Sequence, residues 1–153
     1  MTSLEARVPP PLIGALTGGL IWLAARRLPG LRIDIPGRAP LAITASVLGF
    51  FVSLAGIISF RRARTTVNPM RPDTASALVV TGVYRVSRNP MYLGFALILL
   101  GGAIHLSNPA AFLPLPIFVL YINRFQIDPE ERALETLFGA EFRAYRARVR
   151  RWI

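Results

Sequence analysis

Three long stretches without charge are the feature that most constrains the fold of this chain. Residues 39–60 carry no charged side chain over 22 positions, which is enough for an α-helix to cross the hydrocarbon region of a bilayer. Residues 8–25 form a second uncharged run of 18, and residues 89–123 form a third that is too long for one span. These runs predict membrane-spanning helices.

Composition points the same way. The chain has 153 residues, of which 53% are hydrophobic and only 17% are charged, and its mean hydropathy is +0.47. A soluble domain of this length does not enclose enough volume to hide so much apolar surface. We therefore expect the lipid bilayer to be the main partner of the apolar side chains.

The third run is divided by Ser107, Asn108 and Pro109, a typical turn sequence. It predicts a tight helical hairpin whose two ends lie on the same side of the membrane. In the uncharged run of residues 8–25, Gly14 and Gly18 form a GxxxG pair. This pair is typical of close helix contacts in membranes, and equally of glycines that lie near a turn.

The C-terminal tail has a different character. Apolar residues recur at spacings of three and four, and arginines lie between them, which predicts an amphipathic helix at the membrane surface. The stripe consists of Leu134, Phe138, Phe142, Tyr145, Val149 and Trp152.

The predicted fold class is all-α, an integral membrane helical bundle of about four transmembrane helices with a C-terminal amphipathic interfacial helix. We treat residues 1–153 as a single domain. Its predicted parts are two spans in residues 1–60, a cytoplasmic connector in 61–88, the hairpin in 89–127 and the amphipathic tail in 128–153.

All 18 basic residues are arginine, and the net charge is +10. Nucleic acid is not the expected partner, because the arginines flank apolar runs as the positive-inside rule predicts, and that rule explains both charge and hydropathy. The connector and the tail should then face the cytoplasm, in a bacterial inner membrane. The first loop is also basic, so the orientation of the first helix stays open.

Cysteine is absent and His105 is the only histidine, so the sequence predicts no metal site. The chemistry is expected where the hairpin ends converge, at Arg88-Asn89-Pro90 and at Asp128-Pro129-Glu130-Glu131. Both sequences are also typical helix caps. Capping does not account for Arg88, for the tyrosines at positions 84 and 92 or for the second glutamate.

A ligand for this cluster would combine both charge signs. Helix N-termini attract a carboxylate, a glutamate pair suits an ammonium group or a ribose, and tyrosine faces suit a purine or a cation. S-adenosylmethionine is a molecule of this kind.

The span from position 64 to 152 resembles the membrane methyltransferases typified by isoprenylcysteine carboxyl methyltransferase and the phospholipid N-methyltransferases. The matching stretches are RTTVNP, LVVTGVYRVSRNPMYLG and RFQIDPEERALETLFGAEFRAYRARVRRW, in the same order. The resemblance implies a helical membrane enzyme that binds S-adenosylmethionine on its cytoplasmic side and acts on a lipophilic or lipidated acceptor. The reacting group would be a carboxylate, an amine or a thiol.

The resemblance also implies roles for individual residues. The cofactor-binding positions are Gly82, Tyr84, Arg88, Asn89, Pro90, Tyr92, Glu130 and Glu131, and Arg124 matches an arginine on the substrate side, which makes it the candidate catalytic residue. Asn89 departs from the eukaryotic carboxyl-methylating branch, which has histidine there, so the substrate of that branch is not carried over. The alternatives are an NADPH-dependent membrane reductase resembling the sterol reductases, and a non-catalytic membrane protein.

Overall fold

A computed structural model describes residues 8–63 and 76–153, and within these ranges every regular element is helical. The predicted all-helical architecture is therefore confirmed. The five α-helices are α1 (Pro10–Arg27), α2 (Arg38–Arg62), α3 (Pro90–Leu106), α4 (Pro114–Ile122) and α5 (Asp128–Arg148). Short 3₁₀ turns lie at Pro29–Leu31, Gly82–Arg85 and Pro109–Phe112. The predicted RTTVNP motif lies outside the described residues.

The outer surface fits a bilayer. Two described helices are long and apolar enough to cross a membrane, Arg38–Arg62 and the 40-residue helical stretch Pro109–Arg148, and the 17-residue helix Pro90–Leu106 is also apolar. Large apolar side chains cover the outside of α1 and α2, including Leu16, Leu20, Ile43, Phe50 and Phe51. So much exposed apolar surface requires lipid contact, and the protein is a membrane protein. The predicted number of spans stays a prediction.

Helices α2 and α3 cross at very short range. A methyl group placed on Gly49 would lie 2.5 Å from the carbonyl oxygen of Gly94, and one placed on Gly101 would lie 2.7 Å from the carbonyl oxygen of Ala42. Because the early part of α2 faces the late part of α3, the two helices are antiparallel. Small residues allow backbones to approach this closely in membranes. We call the contact the α2–α3 seam, formed by Ala42, Ser46, Gly49, Ser53, Gly56, Gly94 and Gly101.

The GxxxG pair of α1 does not mark such a crossing. A methyl group on Gly14 would meet Phe95 at 3.6 Å, and one on Gly18 would meet Leu99 at 3.7 Å, which are ordinary van der Waals distances. Helix α1 therefore packs on α3 through side chains. The tightest approach belongs to a seam of mixed glycine, serine and alanine, whose α2 members recur at spacings of four and three without two glycines four apart.

The hairpin reversal predicted at residues 107–109 is confirmed. Ser107 adopts the left-handed conformation, with φ of 51°, and ends α3. The Asn108 side chain accepts a hydrogen bond from the amide of Ala110 at 2.9 Å and donates to the carbonyl oxygen of Leu28 at 2.8 Å. One buried asparagine thus shapes the turn and attaches it to the end of α1.

Helix α5 begins at Asp128, but the predicted role of Asp128 as its cap is wrong. Ile127 and Asp128 both have helical dihedral angles, and a π-helical turn at Asn123–Ile127 joins α4 to α5 without a break. The Asp128 side chain makes no capping hydrogen bond and pairs instead with Arg151 at 3.0 Å. The π-helical turn is wider than a turn of regular α-helix, and this allows the helix to continue without a break. It accommodates the ring of Pro129, which would clash with a preceding carbonyl in a regular α-helix.

The structure also corrects the predicted apolar stripe of the tail, which does not lie on one straight helix. Helix α5 bends at Gly139, where φ is 48° and ψ is −114°, and it ends at Arg148. Val149 is extended, so it and Trp152 lie outside the helix. Phe142 and Tyr145 are buried inside the protein rather than turned towards lipid. Residues 149–153, which we call the C-terminal strap, fold back along the polar ends of the hairpin.

The α2–α3 seam predicts a sharp contrast between two neighbouring glycines. Gly101→Ala should destabilise the protein by about 1–3 kcal/mol, because the new methyl group collides with the backbone of α2. Gly102→Ala is the matched control, since a methyl group there meets nothing within 4 Å. Thermal unfolding in detergent measures both. Equal stability of the two variants would contradict the observed seam.

Candidate active site

A cavity lies where the entry and the exit of the hairpin meet. Its outline, with the open mouth included, encloses about 640 Å³ of space that no atom of the protein fills. One wall is apolar and includes Phe60, Val79, Met91, Leu134 and Phe142. The other wall contains six of the predicted cofactor-binding residues, namely Tyr84, Arg88, Asn89, Tyr92, Glu130 and Glu131.

Arg88 connects three parts of this region. Its Nη2 atom donates to Glu131 Oε1 at 2.8 Å, and its Nη1 atom donates to the carbonyl oxygens of Arg146 and Val149 at 3.0 Å each. The predicted convergence of the two hairpin ends is thereby confirmed. The carbonyl oxygens at the end of a helix carry partial negative charge and have no partner within the helix, so a guanidinium group stabilises them.

Asn89 precedes the first residue of α3, but its side chain makes no capping hydrogen bond. Its Nδ2 atom donates instead to the carbonyl oxygen of Arg151 at 3.0 Å. The expected role of Asn89 as a side-chain cap is therefore wrong, because the strap offers a carbonyl that takes its amide group. Pro90 is the first helical residue as expected, and it is buried.

The tyrosines form the inner part of the cavity. The Tyr92 hydroxyl donates to Glu130 Oε1, and the Tyr145 hydroxyl donates to the carbonyl oxygen of Tyr84 at 2.8 Å. Burial raises the pKa of Tyr84 well above its ordinary value, and the neighbouring Tyr145 and Glu130 act in the same direction. Tyr84 therefore remains a neutral hydroxyl that can donate a hydrogen bond. Its ring packs edge-on against Phe60 at 5.4 Å.

The two adjacent glutamates have different surroundings. Glu131 Oε1 faces Arg88, and Glu131 Oε2 lies 2.6 Å from Nη2 of Arg151, so an arginine binds each oxygen. Glu130 accepts a hydrogen bond from the uncharged hydroxyl of Tyr92. Glu131 is thus part of an ion-pair network, while Glu130 presents a carboxyl group to the cavity.

Arg151 is the residue of this region that sequence reasoning missed. Its guanidinium group contacts both Glu131 and Asp128, the latter at 3.0 Å. Burial lowers the pKa of Arg151, but the bonds and charges of Glu131 and Asp128 outweigh this effect, and the net pKa lies above the ordinary value. In the sequence, Arg151 is one of several arginines in RARVRRWI, and no spacing distinguishes it from its neighbours.

Three predicted residues do not line the cavity, namely Gly82, Pro90 and Arg124. Gly82 has a φ of 62°, and a methyl group on it would lie 3.0 Å from the hydroxyl of Ser59, so a glycine supports the turn that carries Tyr84. Arg124 is exposed in the π-helical turn, with its guanidinium carbon 5.5 Å from the centre of the Phe125 ring.

One buried polar atom of Arg88 has no hydrogen-bond partner among the described residues. Arg88 Nε is buried and has no hydrogen-bond acceptor within the part of the chain that the structure describes. A buried N–H group without a partner costs free energy, and such groups in native structures commonly indicate a missing ligand or water. Arg88, whose side chain carries this N–H group, lines the cavity together with Glu130 and Glu131.

Fold and cavity together define a helical membrane protein with a partly polar cavity where the two ends of its hairpin meet. Comparison with known proteins identifies its family. The sequence model of the family described as phospholipid methyltransferase matches residues 38–141. The chain belongs to the phospholipid methyltransferase family.

Individual relatives agree with this assignment. The protein-S-isoprenylcysteine O-methyltransferase B of Arabidopsis thaliana is 30% identical over 107 residues, which cover 70% of this chain and 54% of the relative. The protein-S-isoprenylcysteine O-methyltransferase of Saccharomyces cerevisiae is 38% identical over 82 residues, covering 52% of this chain and 33% of the relative. The chain thus spans about half the length of the plant relative. It spans about a third of the length of the yeast relative.

A further relative is similar over a shorter stretch. An uncharacterized protein of Haemophilus influenzae is 51% identical over 63 residues, which cover 41% of this chain and the whole of that protein. No solved structure matches the chain.

The ion-pair network predicts that Glu131 matters for stability. Glu131→Gln should lower the free energy of unfolding by about 2 kcal/mol, because two partly buried arginines lose their shared partner. Glu135→Gln is the matched control on the same helix. Its partners Arg143 and Arg146 are exposed, so its effect should stay below about 0.5 kcal/mol. Thermal unfolding without any ligand measures both, and a neutral Glu131→Gln would contradict the network.

Proposed function

We propose that this protein is an S-adenosylmethionine-dependent methyltransferase that acts on a lipophilic or membrane-associated acceptor. The observation that carries the proposal is the cavity formed by Tyr84, Arg88, Asn89, Tyr92, Glu130 and Glu131 in a member of the phospholipid methyltransferase family. The names of the plant and yeast relatives support methyl transfer as the reaction.

The residues present fit the proposed cofactor. Its carboxylate needs a donor, and the buried Arg88 Nε lacks an acceptor among the residues that the structure describes. Its cationic groups need negative charge, and Glu130 faces the cavity without an arginine on the oxygen that Tyr92 binds. The ring of Tyr84 and the apolar wall suit a purine.

For methyl transfer, the main contribution of the protein is to position the two reactants. S-adenosylmethionine, when bound, would supply a methyl group on a sulfonium sulfur, and attack of a nucleophile on the methyl carbon in line with the C–S bond would break that bond and release the neutral thioether. The residues of this chain would bind and orient the two reactants, which lowers the entropic part of the barrier. The apolar wall of Phe60, Met91 and Phe142 would exclude water from the reacting atoms.

The acceptor side is proposed at Arg124. This arginine is exposed on the helical stretch that connects the apolar α4 with α5, so it can reach an anionic group that arrives from the membrane. A carboxylate is the acceptor that a guanidinium group orients best, while an amine or a thiol would not use it. The site is proposed to face the cytoplasm of a bacterial inner membrane, because arginines flank it.

Binding of the purified full chain in detergent tests the proposal. Isothermal titration should give a saturable response to S-adenosylmethionine and to its demethylated product. A response to NADPH alone would identify a reductase, and no response to any of these nucleotides would identify a non-catalytic membrane protein. Incubation of protein-containing vesicles with methyl-labelled cofactor and lipid extract then identifies the acceptor as the molecule that becomes labelled.

Two substitutions separate the proposed cofactor and acceptor sides. Glu130→Gln should raise the Kd for S-adenosylmethionine about tenfold or more, because a carboxylate opposite a cation in a cavity is replaced by a neutral amide. Arg124→Gln should leave that Kd unchanged and raise the KM of an anionic acceptor. Unchanged cofactor binding in Glu130→Gln would exclude this residue from the site.

A further inference from the structure

The C-terminal strap carries an arginine whose position suggests a role in the site. We propose that Arg151 is a positioning residue: by binding Glu131 from the side opposite Arg88, it fixes the polar wall of the cavity and leaves Glu130 as the carboxyl group that receives a cationic ligand. This inference rests on the proposed function and extends it to a segment that does not line the cavity.

Backbone contacts place the strap against the hairpin entry. The amide of Arg88 donates to the carbonyl oxygen of Arg150 at 3.0 Å. The Asn89 side chain and the Ser87 hydroxyl both donate to the carbonyl oxygen of Arg151, at 3.0 Å and 3.4 Å. Three consecutive residues before α3 are therefore bound to two consecutive residues of the strap.

The end of the strap is anchored on the hairpin exit. The indole N–H of Trp152 donates to Asn123 Oδ1 at 3.1 Å, and the ring packs against the hydrophobic core. Asn123 begins the π-helical turn that joins α4 to α5. The strap thus connects the two ends of the hairpin, and the Arg151 side chain lies between these anchors.

The charges around Arg151 explain why its side chain matters. Arg88 and Arg151 together carry two positive charges, and Glu131 and Asp128 carry two negative charges within 3.0 Å of them. This group is neutral as a whole, so the carboxyl group of Glu130 is the acidic group left for a ligand. Without Arg151, one oxygen of Glu131 would lose its partner, and both glutamates would compete for Arg88 or for the ligand.

Arg151 also restricts the orientation of Arg88, because the two arginines bind the same carboxylate. Arg88 binds Glu131 Oε1 while Arg151 binds Glu131 Oε2, so the carboxylate cannot rotate without breaking one of the two bonds. A fixed carboxylate holds the Arg88 guanidinium group, including its buried Nε, in one orientation. Preorganised donors of this kind improve binding because their ordering has been completed before the ligand arrives.

Two neighbouring strap residues provide the test. Arg151→Gln should raise the Kd for S-adenosylmethionine about tenfold. It should also speed hydrogen exchange at the amide of Arg88 in ligand-free protein, since that amide reports docking of the strap. Arg150→Gln is the matched control: its side chain is exposed, so both values should equal those of the unmodified chain. Equal behaviour of the two variants would overturn the proposal.

A double-mutant cycle distinguishes positioning from a general loss of structure. If Arg151 acts through Glu131, then Arg151→Gln should add little to the Kd of a Glu131→Gln protein, whereas independent effects would multiply. Arg151→Lys keeps the charge and should restore part of the affinity, although it loses the fork that spans two carboxylates. Multiplicative effects, or no recovery with lysine, would contradict the proposed role.

Hydrogen exchange keeps the strap inference separate from the proposed function. If the unmodified protein binds no S-adenosylmethionine, the proposed function fails, yet faster exchange in Arg151→Gln than in Arg150→Gln would still establish that Arg151 holds the wall in place. Where Arg151→Gln does not fold, Asp128→Asn removes the other partner of the same guanidinium group and should speed exchange at Arg88. Unchanged exchange there would refute the positioning role.

Discussion

The guanidinium group of Arg88 binds both the beginning and the end of α5. It contacts Glu131 in the first turn, the carbonyl oxygen of Arg146 in the last turn and that of Val149 just beyond the helix. In a straight helix, a rise of about 1.5 Å per residue would separate Glu131 from Arg146 by about 22 Å. One guanidinium group reaches both only because the chain bends at Gly139, whose φ of 48° is unfavourable for residues with a side chain. The bend, the strap and the polar wall of the cavity all depend on this contact.

The sequence predicts the large features of the fold and the composition of the site, but not how the site is held. Uncharged runs reveal the helices, and the turn at Ser107 reveals the hairpin, because both are local properties of the chain. The capping role of Asp128 is predicted wrongly, since a π-helical turn and an ion pair to a distant arginine override a local capping signal. The strap is not predicted because its position also depends on contacts that are not local. Its contacts with the start of α3 join residues about sixty positions apart in the chain. The α2–α3 seam is not predicted because its small residues in α2 mix alanine, serine and glycine, so that no two glycines are four apart, although they recur at spacings of four and three.

The membrane part of the protein also determines the geometry of the cavity. The Ser53 hydroxyl donates to the carbonyl oxygen of Met91 at 3.2 Å, and a methyl group on Gly56 would lie 2.8 Å from the Met91 side chain. The α2–α3 seam therefore fixes the first turn of α3, which carries Tyr92. At the end of α2, Phe60 packs on Tyr84 and Ser59 lies against Gly82. Helix α2 thus supports both tyrosines of the site from the apolar side, while the strap supports Arg88 and Asn89 from the polar side. Because the cavity lies between these two supports, a shift of α2 against α3 would change its shape without altering any ion pair.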